Sequence, residues 1–199
     1  MKLLKVLLWI VGIVIVLAGG LLLFTDSETT MSRTAVVEAP ADIVFSQVND
    51  LHNWNNWSPW KEMDPEMKVE YQNGGVGTDA SYTWNGEVVG EGKLTILESV
   101  PHQYLKTALV FDGRGGSFGG WDLKEKDGQT VVTWSMTSVA GMDPLGRAFN
   151  LFLDGMLGPD FEKGLAKLNT VSKDLYAERQ KEMEMELAVE TGEEGTMEE

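Results

Sequence analysis

The sequence predicts an α+β domain in which a curved antiparallel sheet of about seven strands closes on one long C-terminal helix, with a single transmembrane helix in front. Between Met31 and Met136 the apolar residues alternate in short runs divided by Gly, Asn and Asp, the period of half-buried strands. The stretch Pro159 to Tyr176, PDFEKGLAKLNTVSKDLY, carries Phe161, Leu165, Leu168, Ser172 and Leu175 at spacings of three and four, which places them on one helical face. Leu3 to Phe24 is an apolar run of 22 residues interrupted only by Lys5. At 1.5 Å per residue it reaches roughly 33 Å, enough to cross a bilayer core.

In chain order, residues 3–24 form the membrane anchor, with Lys5 near enough to the end to snorkel and Trp9 near the interface. A cleaved signal peptide is the competing reading. Leu21 to Phe24 prolong the apolar run past the small residues Ala18-Gly19-Gly20, beyond the length of a secretory apolar segment, which favours a retained anchor. Lys2 and Lys5 precede the span while Asp26 and Glu28 follow it, so the N-terminus is expected in the cytoplasm and the domain outside.

Residues 25–30 read as a spacer and 31–176 as the globular domain. A first strand over Met31–Glu38 ends at Ala39-Pro40, and a short helix carrying Ile43, Val44, Phe45 and Val48 follows, then a second containing Trp54 and Trp57. Six strands come next, with inward faces Met67/Val69/Tyr71, Ala80/Tyr82/Trp84, Leu94/Ile96, Leu105/Leu109/Phe111, Trp121/Leu123 and Val132/Trp134/Met136. Asn73-Gly74-Gly75, Asn85-Gly86, Asp112-Gly113 and Asp127-Gly128 supply turn residues that accept positive φ. Gly90, Gly92, Gly115, Gly116, Gly119 and Gly120 are expected bend points. Leu145, Phe149, Phe152, Leu153 and Met156 fall at helical spacing in a shorter helix, joined to the long one at Gly158-Pro159. Residues 177–199 read as an acidic tail, helical at first and disordered from Thr191.

The formal net charge is -15, and nine glutamates against Arg179 and Lys181 put -7 of it in that tail. An acidic domain without a basic stripe is a poor binder of phosphate backbones, so no nucleic-acid partner is expected. The chain has no cysteine, which excludes disulfides and thiolate chemistry, and its two histidines, His52 and His102, are too few for most imidazole metal sites. No cofactor or metal is expected. GRGGSFGG, residues 113–120, lacks the Lys-Ser/Thr ending and following helix of a phosphate loop and reads as a bulged strand entry.

The runs EAPADIVFSQVNDLHNWNNWSPW (38–60), GEGKLTILESVPHQYL (90–105) and GPDFEKGLAKL (158–168) resemble the START-like (SRPBCC) superfamily, and within it the bacterial polyketide cyclase/dehydrase and lipid-transport family, over about Met31 to Leu175. The resemblance implies a helix-grip domain with an apolar ligand cavity between the sheet and the terminal helix. It carries no catalytic motif to transfer. A shared fold does not fix a reaction.

The expected cavity lining is Trp57, Trp60, Tyr82, Trp84, Leu94, Leu109, Phe111, Trp121, Trp134, Phe152, Met156, Phe161 and Leu165. A filled core would use the same residues, and the pattern alone does not separate the two. For proton transfer the candidates are Glu87, Glu91, Asp79, Asp122, His102 and Tyr82, with no recognisable pair among them. The expected function is therefore a membrane-anchored binding domain holding a hydrophobic small molecule or lipid in a cavity between the sheet and the C-terminal helix. A cyclase- or dehydratase-type enzyme using the same cavity, and an envelope interaction or stress protein with a solid core, are the alternatives.

Overall fold

The structure is a computed structural model, and it describes residues 2–111 and 114–194. Helix α1 (Lys2–Phe24) leads into β1 (Glu28–Val37), then come α2 (Ala41–Asn49), α3 (Trp54–Trp57), α4 (Pro59–Met63) and β2 (Lys68–Gln72). Strands β3 (Ser81–Gly86), β4 (Gly90–Val100), β5 (Tyr104–Phe111), β6 (Arg114–Lys126) and β7 (Gln129–Val139) follow as a meander, and α5 (Pro144–Asn150) and α6 (Leu153–Glu194) close the described chain. All seven strands form one antiparallel sheet in the order β1-β7-β6-β5-β4-β3-β2.

The sheet bends at two places where one strand carries an extra residue, between Ile96 and Glu98 on β4 and opposite Leu109–Val110 on β6. The second bulge sits at Gly116, whose φ of 126° suits glycine, and whose absent side chain leaves room for the Val139 carbonyl oxygen. On the concave face lie Trp84, Leu94, Ile96, Leu105, Trp121, Val132, Trp134 and Met136, all buried, with Phe161, Leu165 and Leu168 of α6 above them. The expected Asp112-Gly113 turn lies outside the described residues.

Four local expectations are corrected. The first strand starts at Glu28, not 31, because Glu28–Thr30 pair with Thr137–Val139 of β7 and the Thr30 and Thr137 hydroxyls bond at 2.8 Å, which shortens the spacer. The β3–β4 turn is not Asn85-Gly86 but Glu87–Val89. The buried Asp64 carboxylate accepts from the Val88 and Val89 amides at 2.9 and 3.4 Å, and Gly86 leaves the space it occupies. There is no joint at Gly158-Pro159. Pro159 lies inside α6, and the Arg33 guanidinium spans it by binding Asp154 before and Glu162 after, each at 2.7 Å, so one missing amide bond does not end the helix. The helix also runs on through the start of the tail, which the sequence predicts to be helical, and past Thr191, where it predicts disorder, to Glu194, about 63 Å in all. Arg179 ties this extension to Asp42 of α2 and lies over the Tyr176 ring; residues 195–199 are outside the described set.

Two glycines of α6 make opposite predictions. Gly164 is buried where an added Cβ would stand 2.8 Å from the Trp134 ring and 3.2 Å from Pro59 Cδ, whereas nothing lies within 4 Å of a Cβ at Gly155. Removing a helical glycine is worth up to about 1 kcal/mol, while overpacking against rigid rings costs about 1–3 kcal/mol. Gly155→Ala should raise the denaturation midpoint, and Gly164→Ala should lower it.

Helix α6 is also pinned to α4, where Glu62 bonds Lys163 at 2.9 Å and also Lys167. Lys167 first, then Lys163, hold the Glu62 carboxyl down at about 2. A carboxylate depressed in the folded state adds stability above its ordinary range, near pH 4.5, and that stability is lost as pH falls toward 2. Glu62→Gln should therefore flatten the acid limb of the stability curve in that window, and the difference should shrink in high salt because the group is exposed.

Candidate functional site

One end of the space between sheet and α6 is solid and the other is hollow. At the solid end α3 lowers Trp54 and Trp57 onto the sheet, and their indole nitrogens donate to the Val48 and Gln47 carbonyls at 3.0 and 3.1 Å. Trp57 meets Trp121 and Trp134 edge-on at 5.4 and 5.7 Å, and Trp134 is stacked between Trp121 (4.4 Å, 17°) and Phe161 (3.8 Å, 12°). Trp60 of α4 caps this column edge-on.

Beyond Trp134 the faces separate around a cavity of ≈ 430 Å³. Nine of the expected residues line it: Trp60, Tyr82, Trp84, Leu94, Leu109, Phe111, Trp134, Met156 and Phe161. Four do not. Trp57, Trp121 and Leu165 are sealed in the solid end, and Phe152 points outward, 65% exposed. Alternation marks a side chain as inward without telling whether it meets another ring or a void.

The remaining wall includes Trp54, Ser58, Met63, Met67, Val88, Val89, Thr107, Gly119, Met136 and Leu157. Met67, just before β2, and Met136 on β7 belong to alternating faces legible in the sequence. Val88 and Val89 lie in a turn, which has no period, and Met63 ends α4, which at five residues is too short to show one. The exposed members, Val88, Met63, Phe111 and Met156, form the rim of the opening.

Gly119 on β6 faces Thr107 on β5 across the ladder, and its missing side chain leaves the space next to the Thr107 hydroxyl. Gly92 likewise admits the Trp84 indole, since an added Cβ would overlap that ring and stand 2.6 Å from the Val110 carbonyl oxygen. Ser58, Tyr82 and Thr107 bring hydroxyls to the wall; Ser135 also borders it, but its hydroxyl donates to the Gly120 carbonyl at 3.3 Å. No hydrogen bond engages the Tyr82 hydroxyl among the described residues, and burial, with a smaller effect of Tyr71, pushes its phenol well above the usual range. At neutral pH it is a neutral hydrogen-bonding group.

The other proton-transfer candidates, Glu87, Glu91, Asp79, Asp122 and His102, are exposed and none lines the cavity. His102 sits in a turn with φ 63°, its ring edge against Phe45. Among the described residues no group of three or more His, Cys, Asp or Glu is placed to hold a metal ion.

Leu145, Phe149, Phe152 and Met156 are exposed, and the single short helix expected to carry them is divided, with Leu145 and Phe149 on α5 and Leu153 and Met156 on the first turn of α6. The positions that α5 buries are Arg147 and Asn150, and in the first turn of α6 only Leu153 turns inward. Arg147 spends its guanidinium on backbone carbonyls at the end of α1.

The model of a family described as polyketide cyclase / dehydrase and lipid transport matches residues 28–173. Among solved structures, a protein from Staphylococcus epidermidis is similar at 15% identity and a TM-score of 0.54, covering 76% of this chain and 94% of its own. One from Chromobacterium violaceum has 14% identity, a TM-score of 0.53, and coverage of 72% and 96%. One from Nitrosospira multiformis has 20% identity, a TM-score of 0.51, and coverage of 71% and 94%. These likenesses speak for the fold alone. A comparison with curated proteins finds no match.

Proposed function

The chain belongs to the polyketide cyclase / dehydrase and lipid transport family, and from that premise we propose that it is a membrane-anchored binding domain holding a hydrophobic small molecule or lipid between its sheet and C-terminal helix. The observation that carries the reading is the ≈ 430 Å³ cavity, within the size range of ligand sites, walled by aromatic and aliphatic side chains with a few hydroxyls. Binding would come from apolar burial, on the order of 25 cal/mol per Å² removed from water, with Ser58, Tyr82 and Thr107 orienting the ligand. The outward-facing side chains of α1 supply the anchor, and Lys2 and Lys5 ahead of it favour a cytoplasmic N-terminus with the domain outside.

A cyclase or dehydratase in the same cavity needs a proton donor or acceptor at the wall. Tyr82 is the one titratable side chain there among the described residues, so binding is the better supported role. The volume itself speaks against a solid, non-binding core.

Native mass spectrometry of the full chain, released in mild detergent from the cells that make it, tests the proposal. The expected spectrum contains protein plus an apolar mass that organic extraction removes. Repeatedly empty spectra, also after exposure to the total lipid extract of those cells, would overturn it.

A further inference from the structure

We propose that the corner between α5 and α6, residues 142–156, lies in the headgroup layer of the bilayer that α1 crosses, so that the cavity opens at the membrane surface. The inference rests on the anchor reading above. Arg147 carries it first. This side chain is 7% exposed; its Nη1 donates to the carbonyl oxygens of Leu22 at 2.7 Å and Thr25 at 2.6 Å, and its Nε donates to Gly141 at 2.8 Å. It thus satisfies carbonyls that the last turn of a helix leaves unbonded, and brings positive charge to the negative end of the helix dipole. The end of α1 is thereby fixed against α5.

Around that junction the surface is apolar. Met142, Leu145, Phe149, Leu151, Phe152 and Met156 are between 42 and 75% exposed, six large apolar side chains within fifteen residues, beside the exposed Leu23 and Phe24 at the end of α1. The charged residues of the same stretch are engaged: Asp143 accepts from the Leu145 amide, Arg147 is the cap, and Asp154 is paired with Arg33. A concentration of this kind marks an interaction surface, and its continuity with the membrane helix selects the occupant. With no free lysine or arginine here, insertion is apolar and does not need anionic lipid.

The face leads to the cavity. Met156, bonded through its amide to the Phe152 carbonyl at 3.0 Å, is both a member of the face and part of the cavity rim. A ligand would pass between acyl layer and cavity over Phe152 and Met156 without crossing open water.

The cysteine-free sequence allows a direct test on the full chain in phosphatidylcholine vesicles. Single cysteines at Phe149, Phe152, Val14 and Lys126 carry an environment-sensitive fluorophore, and quenching by nitroxide-labelled phosphatidylcholine is read. Val14 reports the span. Lys126 is the distant control, because the ten residues of β1 carry the sheet roughly 30 Å from the α1 end to the β6–β7 turn. The expected result is quenching at Phe149 and Phe152 several-fold above that at Lys126, with Val14 quenched as well. Quenching at Val14 with Phe149 and Phe152 at the Lys126 level overturns the inference and leaves the anchor standing. Val14 at the Lys126 level removes the anchor, and the inference with it. A blue shift at Phe149 and Phe152 that follows protein concentration, without lipid quenching, assigns the face to a second copy of the chain and also overturns it.

Discussion

Trp134→Ala should lower the stability of the domain by about 3–5 kcal/mol, the range for deleting a large buried aromatic. Trp134 is the middle ring of the column, stacked at 4.4 Å on Trp121 and at 3.8 Å on Phe161, with Trp57 and Trp60 edge-on at 5.7 and 5.6 Å. Each such pair adds about 0.5–1.5 kcal/mol beyond area burial, so four are lost together. It is also the wall between solid and hollow ends. The space left by the indole would run into the existing cavity, where no neighbour stands ready to close it. Against a total stability of about 5–15 kcal/mol, much of the margin disappears. Chemical denaturation of the full chain in detergent should show the midpoint falling accordingly, with Trp134→Phe recovering part of the loss. A midpoint within experimental error of the unsubstituted protein would mean that the aromatic column is not what joins α6 to the sheet.

The seven strands and the inner face of α6 were legible because periods of two and near 3.6 report directly which side chains share a face. Leu94, Trp134 and Phe161 were placed correctly as inward on that ground alone. The same rule could not separate Trp121 from Trp84, since one inward indole meets three other tryptophans while the other borders a void. Where distant residues overrule a local preference, the sequence misleads. Pro159 reads as a helix start until Arg33, 126 positions earlier, is seen binding on both sides of it, and Asn85-Gly86 reads as a turn until Asp64 is seen holding Val88 and Val89. The α5 stripe is the instructive failure. Its spacing predicts one short helix, yet the chain breaks after Asn150 and α5 buries Arg147, whose guanidinium donates to carbonyls at the end of α1, a long-range partner that no local period announces.

On the binding role proposed above, Thr107→Phe should abolish ligand occupancy of the cavity while sparing the fold. Thr107 on β5 is part of the cavity wall, and its hydroxyl fills the space that Gly119 leaves on β6. A phenyl ring there would reach into the ≈ 430 Å³ cavity that this residue borders, and the apolar surface it buries would offset the strain it introduces. The expected stability change stays within about 1 kcal/mol, small beside the 1–3 kcal/mol of a true overpacking. For the ligand the balance is different. Each methylene excluded from an apolar site forfeits about 0.8 kcal/mol, so displacing two or three weakens binding by about 2 kcal/mol, roughly thirtyfold. Ala108→Phe adds the same ring to the same strand on the other face of the sheet, since successive side chains alternate. Native mass spectra of the two variants, prepared side by side, should show the apolar mass largely gone from Thr107→Phe and retained in Ala108→Phe. An equal load in both would take the cavity out of the mechanism and leave the exposed apolar surface of α1 as the place where such a mass is held.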